Sequence, residues 1–570
     1  MTNRSRMRFH LATVSLIAIG GSLQAQTASE LTPESFEPQS QNIGRTVQIA
    51  APSVAEAPEG ADRLYVEVGG VSVVGGQPSL AGQVAELEAA LVGKTVSVEQ
   101  IFQAASALEQ AYINAGYVLA RVVIPAQRLN NGGTLRINVI DGYVEQIDLE
   151  SAPSEVRQRL EQLTDPLLDR PDIRLRDLER DLLLAGDTFG VELDSALATG
   201  DQPGGTVIIL EPRYKRVTGS FGFDNFVDDG LGPITLNAGL ELNSAFGLGE
   251  TIYGRIAGAP QNYFSDEPRY RTLAFGFVVP IGTNGMTFNL EATDSRTKPD
   301  DVIIPTTSEF ERYSARLFYP WIRSNFLNVS SQVIFDSSED KQDILLPNNG
   351  SAPIYNDQLS VLRLSGNLFW RADDGAITTG RAEISQGLDI FGARADVGPG
   401  AVPLSRQGAS AEFTKLTLAA QYQRALSDRI NMAVFGRAQT SFGDPLLTSE
   451  QFSATGPEDL STFDSGDLQG DQGWTLRGEV SVPATFGVGG LPVVVSPYVF
   501  GAAGAVYLEQ PTIFEQSKTS AYAYGIGVDL APIYDTAFRS ATLRLEYGRG
   551  ERDDSLPDDN RFSISGYFRF

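Results

Sequence analysis

The sequence predicts a transmembrane antiparallel β-barrel of about sixteen strands, preceded by two small α+β units of βααββ order. Three observations lead there. After about residue 215 helical patterns vanish, and short segments alternate apolar with small or polar residues between turns, as a wall between lipid and lumen must. Before that point two successive stretches each run strand, helix, helix, strand, strand. Beyond the N-terminus no apolar stretch is long enough to cross a bilayer as a helix, so a crossing has to be made by a closed barrel.

Each element follows in order. Arg4, Arg6 and Arg8 precede an apolar run at 11–19 and small residues to Ala25, the pattern of a secretory signal over 1–25. Residues 26–62, with "TASELTPESFEPQSQ", have the composition of a Pro-rich linker, with room for a short plug helix between Pro33 and its surroundings. In 63–142, "RLYVEVGGVSVVGG" is strand-like, and helical spacing follows around 80–91 and 98–115, the second started by Ser97 and stopped by Gly116. "YVLARVVIP" and "TLRINVIDG" close the unit as two strands. Residues 143–214 repeat the order, with amphipathic helices in "SEVRQRLEQL" and "RLRDLERDLLLAG". Each unit can bury a modest core by laying two helices on a small sheet.

Residues 215–570 are the predicted barrel. "RFSISGYFRF" puts Phe562, Ile564, Phe568 and Phe570 on one face and Arg561, Ser563, Ser565 and Arg569 on the other. "AYAYGIGVDL" puts Tyr522, Tyr524 and Ile526 outward, and Ala521, Ala523, Gly525, Gly527 and Asp529 inward, where a hydrated pore is expected. Tyr319, Trp321, Trp370 and Trp474 lie near segment ends, where aromatic girdles form.

Composition removes several functions. A net charge of −27 argues against nucleic acid as a partner. There is no cysteine, and the one histidine, His10, falls within the signal, so thiol chemistry, histidine-based triads and the usual zinc sites are excluded from the mature chain. No enzyme, cofactor or metal site is expected. The acidic "RDDSLPDDN" has the scattered spacing of a solvated hairpin tip rather than of a calcium loop.

"YINAGYVLARVVIPAQRLNNGGTLRINVIDG" (112–142) closely resembles the first POTRA domain of two-partner secretion transporters, the haemolysin-activator family. The second helical stretch at 170–191 looks like the second POTRA domain, and "GSFGFDNFVDDGLGPITLNAGLELNSAFGLGE" (219–250) is similar to that family's first barrel hairpin. The resemblance implies an outer-membrane transporter with POTRA domains in the periplasm, monomeric in outer-membrane lipid. It would capture one large unfolded exoprotein, of adhesin or haemolysin type, by that partner's N-terminal secretion domain, and conduct it to the surface without ATP. Two alternatives are a factor that inserts other barrels, from the same superfamily, and a passive barrel channel.

Capture is expected at an open sheet edge, where unpaired backbone groups can add a strand from a client. The residues expected there lie in the second strand of the first unit, 118–124, and the helix before it: Ile101, Leu108, Tyr112, Tyr117, Val118, Ala120, Val122 and Ile124. The competing reading makes Leu108, Tyr112 and Val122 core.

The resemblance also implies a long loop with a Val-Arg-Gly-Tyr/Phe signature, whose Arg pairs with an Asp in a Phe-x-Asp-x-Gly wall strand. Here the signature position holds Leu460, Ser461, Thr462 and Phe463, and the facing strand reads Phe500, Ala502 and Gly504 where Phe, Asp and Gly are expected. Both charges are missing together, which is coherent, since losing one alone would strand the other. "LRGE" at 476–479 is no substitute, because it sits in an alternating strand with Arg477 and Glu479 on the lumen face. The loop is expected to dock through Phe463 near Ala502 and through Ser/Thr hydrogen bonds; the rival is a loop that no longer docks.

Overall fold

The computed structural model describes residues 26–38, 57–300, 304–347, 350–513, 515–554 and 558–570. The predicted signal at 1–25, most of the predicted linker and part of the acidic tip at 552–560 lie outside them.

The first POTRA unit holds β1 (Tyr65–Val74), α2 (Ala81–Leu91), β2 (Thr95–Ser97), α3 (Val98–Asn114), β3 (Arg121–Val123) and β4 (Gly133–Ile140). Its sheet runs β2-β1-β4-β3, with β1 and β4 parallel. Ser97 starts α3 through a capping box: its Oγ accepts the Gln100 N–H at 3.1 Å, and its own N–H donates to Gln100 Oε1 at 2.9 Å. Two details depart from expectation. β2 is an extra short strand on the β1 edge. The strand expected over 118–124 is only three residues long, because 117–120 turn back, with the Ala120 N–H on the Tyr117 carbonyl at 3.1 Å.

The second unit holds β5 (Tyr143–Asp148), α4 (Ser154–Thr164), α5 (Leu175–Gly186), β6 (Val191–Thr199) and β7 (Gly205–Tyr214), with sheet order β5-β7-β6. Leu178 and Leu182 of α5 and Val156, Leu160 and Leu163 of α4 close its core. On α5, burial pushes the Asp181 carboxyl up to about 6 against the pull of Arg180 and Arg170. A folded value above the unfolded one makes the ionised form costly, so this unit gains stability as pH falls from about 6 towards the ordinary 3.8. Asp181→Asn is expected to remove that slope, which urea titrations followed by proteolysis at about pH 5 and pH 7 would check.

The barrel begins with β8 (Val217–Asp224), β9 (Thr235–Asn243), β10 (Thr251–Gly258), β11 (Tyr270–Ile281), β12 (Met286–Thr297), β13 (Thr306–Arg323), β14 (Leu327–Leu345) and β15 (Ser351–Arg371). It continues with β16 (Ile377–Gly387), β17 (Thr414–Ser427) and β18 (Ile430–Thr440). A loop follows, carrying the two-residue pair β19 (Phe452–Ser453) and β20 (Gln469–Gly470). Then come β21 (Gln472–Ser481), β22 (Ala484–Val488), β23 (Leu491–Tyr507), β24 (Lys518–Pro532), β25 (Ser540–Arg552) and β26 (Asp559–Arg569). β21 and β22 both pair with β23 and form one stave interrupted at Pro483, so the closed, antiparallel wall has sixteen strands. β26 closes it on β8, from Ser565 opposite Asp224 to Arg569 opposite Ser220.

Alternation sorts the wall as predicted. On β12, Asn289, Glu291, Thr293, Ser295 and Thr297 are buried in the lumen while Leu290 faces out. Trp321 and Trp370 stand exposed at the periplasmic ends of their strands and Trp474 at the opposite end, as girdles require. Among the described residues no helix is long and apolar enough to cross a membrane.

Candidate functional site

The lumen is occupied by two of the chain's own segments. The first is the N-terminal stretch 26–38, which carries the one-turn helix α1 (Ala28–Leu31) and packs on β12 and β13. The second is the loop 441–471, which turns inward instead of covering the barrel. Its β19–β20 pair makes a neck, and Leu460, Ser461, Thr462 and Phe463 are all buried at its far end.

The loop tip sits in an apolar nest. Leu460 and Phe463 share one cluster with Phe500, Ala502, Ala521 and Ala523. Gly504 lies under Leu460, whose Cδ1 would be 3.2 Å from any Cβ there. At Gly550 a Cβ would meet the Phe463 ring at 2.6 Å. Of the small inward residues expected to line a hydrated pore, Ala521 and Ala523 instead help make the slot into which this loop fits.

Polar contacts hold the tip in register, and they centre on Arg477 of β21, which is fully buried. Its Nη1 donates to Ser461 Oγ at 2.7 Å and its Nη2 to Glu546 Oε2 at 2.5 Å. Its Nε donates to Glu479 Oε1 at 2.8 Å, and the guanidinium carbon lies 3.9 Å over the Phe500 ring. The Ser461 hydroxyl donates in turn to Glu546, which also accepts the Tyr498 hydroxyl at 2.7 Å. One step along the loop, Asp459 accepts Arg437 at 2.6 Å and Thr475 at 2.5 Å. Nearer the neck, Glu450 is clamped by Arg363 at 2.5 Å and by Lys415 at 2.7 Å.

The sequence offered Ser461, Thr462 and Phe463 but missed their partners. Arg477 was assigned to the wall, and its position in β21 agrees; that the wall arginine grips the loop was not foreseen. A signal for part of this exists. Gly489 and Gly490 both have positive φ and form a two-residue turn. Running the ladder back from Val488 opposite Leu491 places Arg477 directly opposite Ala502, the position where the resemblance implies an acid. The cation is therefore on the wall, its carboxylate partners Glu546 and Glu479 are on the wall too, and the loop's Asp459 pairs with Arg437 instead.

The eight residues expected at the capture edge are mostly interior. Ile101, Leu108, Tyr112, Tyr117, Ala120 and Val122 lie in the core of the first unit, with Ile124 half-buried against it. Val118 belongs to the core of the second unit, because the 117–120 turn is wedged between the two units. The Leu175 N–H donates to the Gly116 carbonyl at 2.8 Å, and Arg174 stacks on Tyr117. The outward N–H of Val122 donates to Glu109 Oε2 at 2.9 Å, so the β3 edge is short and partly capped. The longer edge is β6, nine residues paired on one side by β7, with no strand on its other side among the described residues.

The second unit is fastened to the barrel's periplasmic turns. Arg323, at the end of β13, grips both carboxylate oxygens of Asp187 at 2.8 Å. Arg180 donates to the Pro320 and Asn284 carbonyls, each at 3.1 Å, and Arg159 to the Gly282 carbonyl at 2.7 Å. Glu192 accepts the Ala537 N–H and the Thr536 hydroxyl, each at 2.9 Å.

Comparison with known proteins agrees with this architecture. The family model for the haemolysin secretion/activation protein ShlB/FhaC/HecB matches residues 204–530, and that for the ShlB-type POTRA domain matches 66–142. The outer membrane transporter CdiB of Escherichia coli is 23% identical over 450 residues, covering 77% of this chain and 73% of the relative. The solved structure of CdiB from Escherichia coli superposes with a TM-score of 0.68 at 20% identity, over 93% of this chain and 95% of that one. That of CdiB from Acinetobacter baumannii gives 0.59 at 15% identity, over 92% and 95%. Two POTRA units docked under a sixteen-strand barrel, with a long loop folded into its lumen, thus coincide with a match over more than half the sequence: the chain belongs to the haemolysin secretion/activation protein family ShlB/FhaC/HecB and is an outer-membrane transporter with its POTRA domains in the periplasm.

Proposed function

We propose that this transporter exports one large secreted protein, of adhesin or haemolysin type, as an unfolded chain captured by the POTRA units and passed through the barrel. The observation that carries this reading is the filling of the lumen. A passive channel needs an open bore, whereas here the bore is closed by two polar segments, 26–38 and 441–471, held by ion pairs and hydrogen bonds that can exchange partners. The fastening of the second POTRA unit to the periplasmic turns supports delivery of a client directly to the mouth. Backbone pairing along β6, with the shorter β3 as a second edge, suits a client whose sequence varies as it passes. No ATP is needed if folding of the exported protein outside gives the direction. The barrel acts as a monomer in outer-membrane lipid.

Deleting both units, 63–214, tests the capture step, since β3 lies in the first and β6 in the second. Export of the large secreted protein is expected to stop, with barrel insertion retained. Unchanged export would sink the capture role.

A further inference from the structure

Resting on that reading, the structure also points to where in the lumen the exported chain is held. Residues 26–37 run along one side of the barrel, and the wall touches them chiefly through their peptide groups. Ser308 Oγ accepts the Ala28 N–H at 3.0 Å, and the Tyr270 hydroxyl donates to the Leu31 carbonyl at 3.3 Å. Arg312 Nη2 donates to the Pro33 carbonyl at 2.7 Å and Arg316 Nη2 to the Glu34 carbonyl at 3.0 Å. Glu291 Oε2 accepts the Phe36 N–H at 2.9 Å. Contacts to side chains are fewer, from Arg381 to Glu34, from Gln332 to Glu37 and from Asp340 to Ser29, with Leu31 packed on Val227, Leu231, Ala259 and Tyr270.

The ladder presents three donors, Tyr270, Arg312 and Arg316, between two acceptors, Ser308 and Glu291; an extended peptide can use it because every residue except proline offers one N–H and one C=O. Ser308, Arg312 and Arg316 share the inward face of β13 at intervals of four residues, about 13 Å of strand. Glu291 ties the two arginines together, 3.6 Å from Arg312 and 3.3 Å from Arg316, so the rungs stay oriented by their own ion pairs. The occupant is itself rich in Ser, Thr, Pro and Glu, with a single helical turn. That makes it a stand-in for an unfolded passenger.

We infer that the β11–β13 ladder of Tyr270, Glu291, Ser308, Arg312 and Arg316 is the track of the exported polypeptide, which replaces segment 26–38 and is held by its backbone rather than its sequence. The absence of native cysteine allows a direct test. A single cysteine replaces Ser308 on the track, or Ser565, on the inward face of β26 beside Ser461 and Glu546. The passenger is the large secreted protein that this transporter exports, carrying single cysteines and arrested in the pore by a fused disulfide-locked domain. Disulfides are expected with Ser308→Cys for several unrelated passenger positions, and few with Ser565→Cys. The double variant Arg312→Gln, Arg316→Gln is expected to lower export roughly a hundredfold, since each lost charged hydrogen bond weakens holding by about tenfold. Barrel abundance and passenger binding to the POTRA units should stay unchanged. Equal trapping at both cysteines, trapping at Ser565→Cys alone, or full export by the double variant overturns the track and leaves the transport reading standing. Export of no passenger by the wild-type chain, with no trapping anywhere in the lumen, overturns both.

Discussion

Arg477→Ala releases the loop: protease sites within 448–471 become cleavable from outside intact cells, and single-channel conductance rises. The expectation follows from what the substitution leaves behind. Arg477 is fully buried and bonded to Ser461, Glu546 and Glu479, so its removal leaves Glu546 without a cation among the Phe500 and Tyr498 rings, while Glu479 keeps Arg544 at 3.4 Å. Breaking one side of a buried pair costs roughly 3–5 kcal/mol, and water reaching the unpaired Glu546 loosens the tip, while Asp459 and Glu450 hold only the loop's flank and neck. Removing both partners is gentler, because no charge is left unpaired. The double variant Arg477→Met, Glu546→Gln should therefore recover much of the protection. If Arg477→Ala leaves both proteolysis and conductance as in the wild type, the wall arginine does not hold the loop.

Arg323→Ala unfastens the second POTRA unit from the barrel mouth. The bidentate pair with Asp187 is well formed at 2.8 Å on both arms, and the arginine is nearly buried. Pairs of this kind lose about 2–5 kcal/mol when one partner is truncated. Hydrogen exchange should rise in α5 and in the 282–285 turn, and export should fall while the barrel remains inserted. A double-mutant cycle with Asp187→Ala should show the two losses to be less than additive. Fully additive losses would mean that the two side chains act separately.

Much of this molecule can be read from its chain because the information is local. The helix start at Ser97 and the alternation along Asn289–Thr297 depend on residues a few positions apart, and so does the register set by Gly489-Gly490. The site is less accessible for a stated reason in each case. Val118 looked like an edge residue because alternation gives a face but does not say which of two adjoining cores that face enters. Arg477 was placed on the lumen side, yet its partner Glu546 lies 69 residues on, across strands whose juxtaposition depends on closing the barrel. Ala521 and Ala523 were expected beside water because smallness does not tell a pore from a slot.

The sequence by itself therefore determined the wall: about sixteen alternating strands behind two POTRA units. What fills the wall was decided by tertiary structure. A barrel of this circumference leaves a lumen that its own inward side chains do not close. The segments that enter it, 26–38 and 441–471, are polar and short of regular structure, so their place comes from contacts with residues tens to hundreds of positions away.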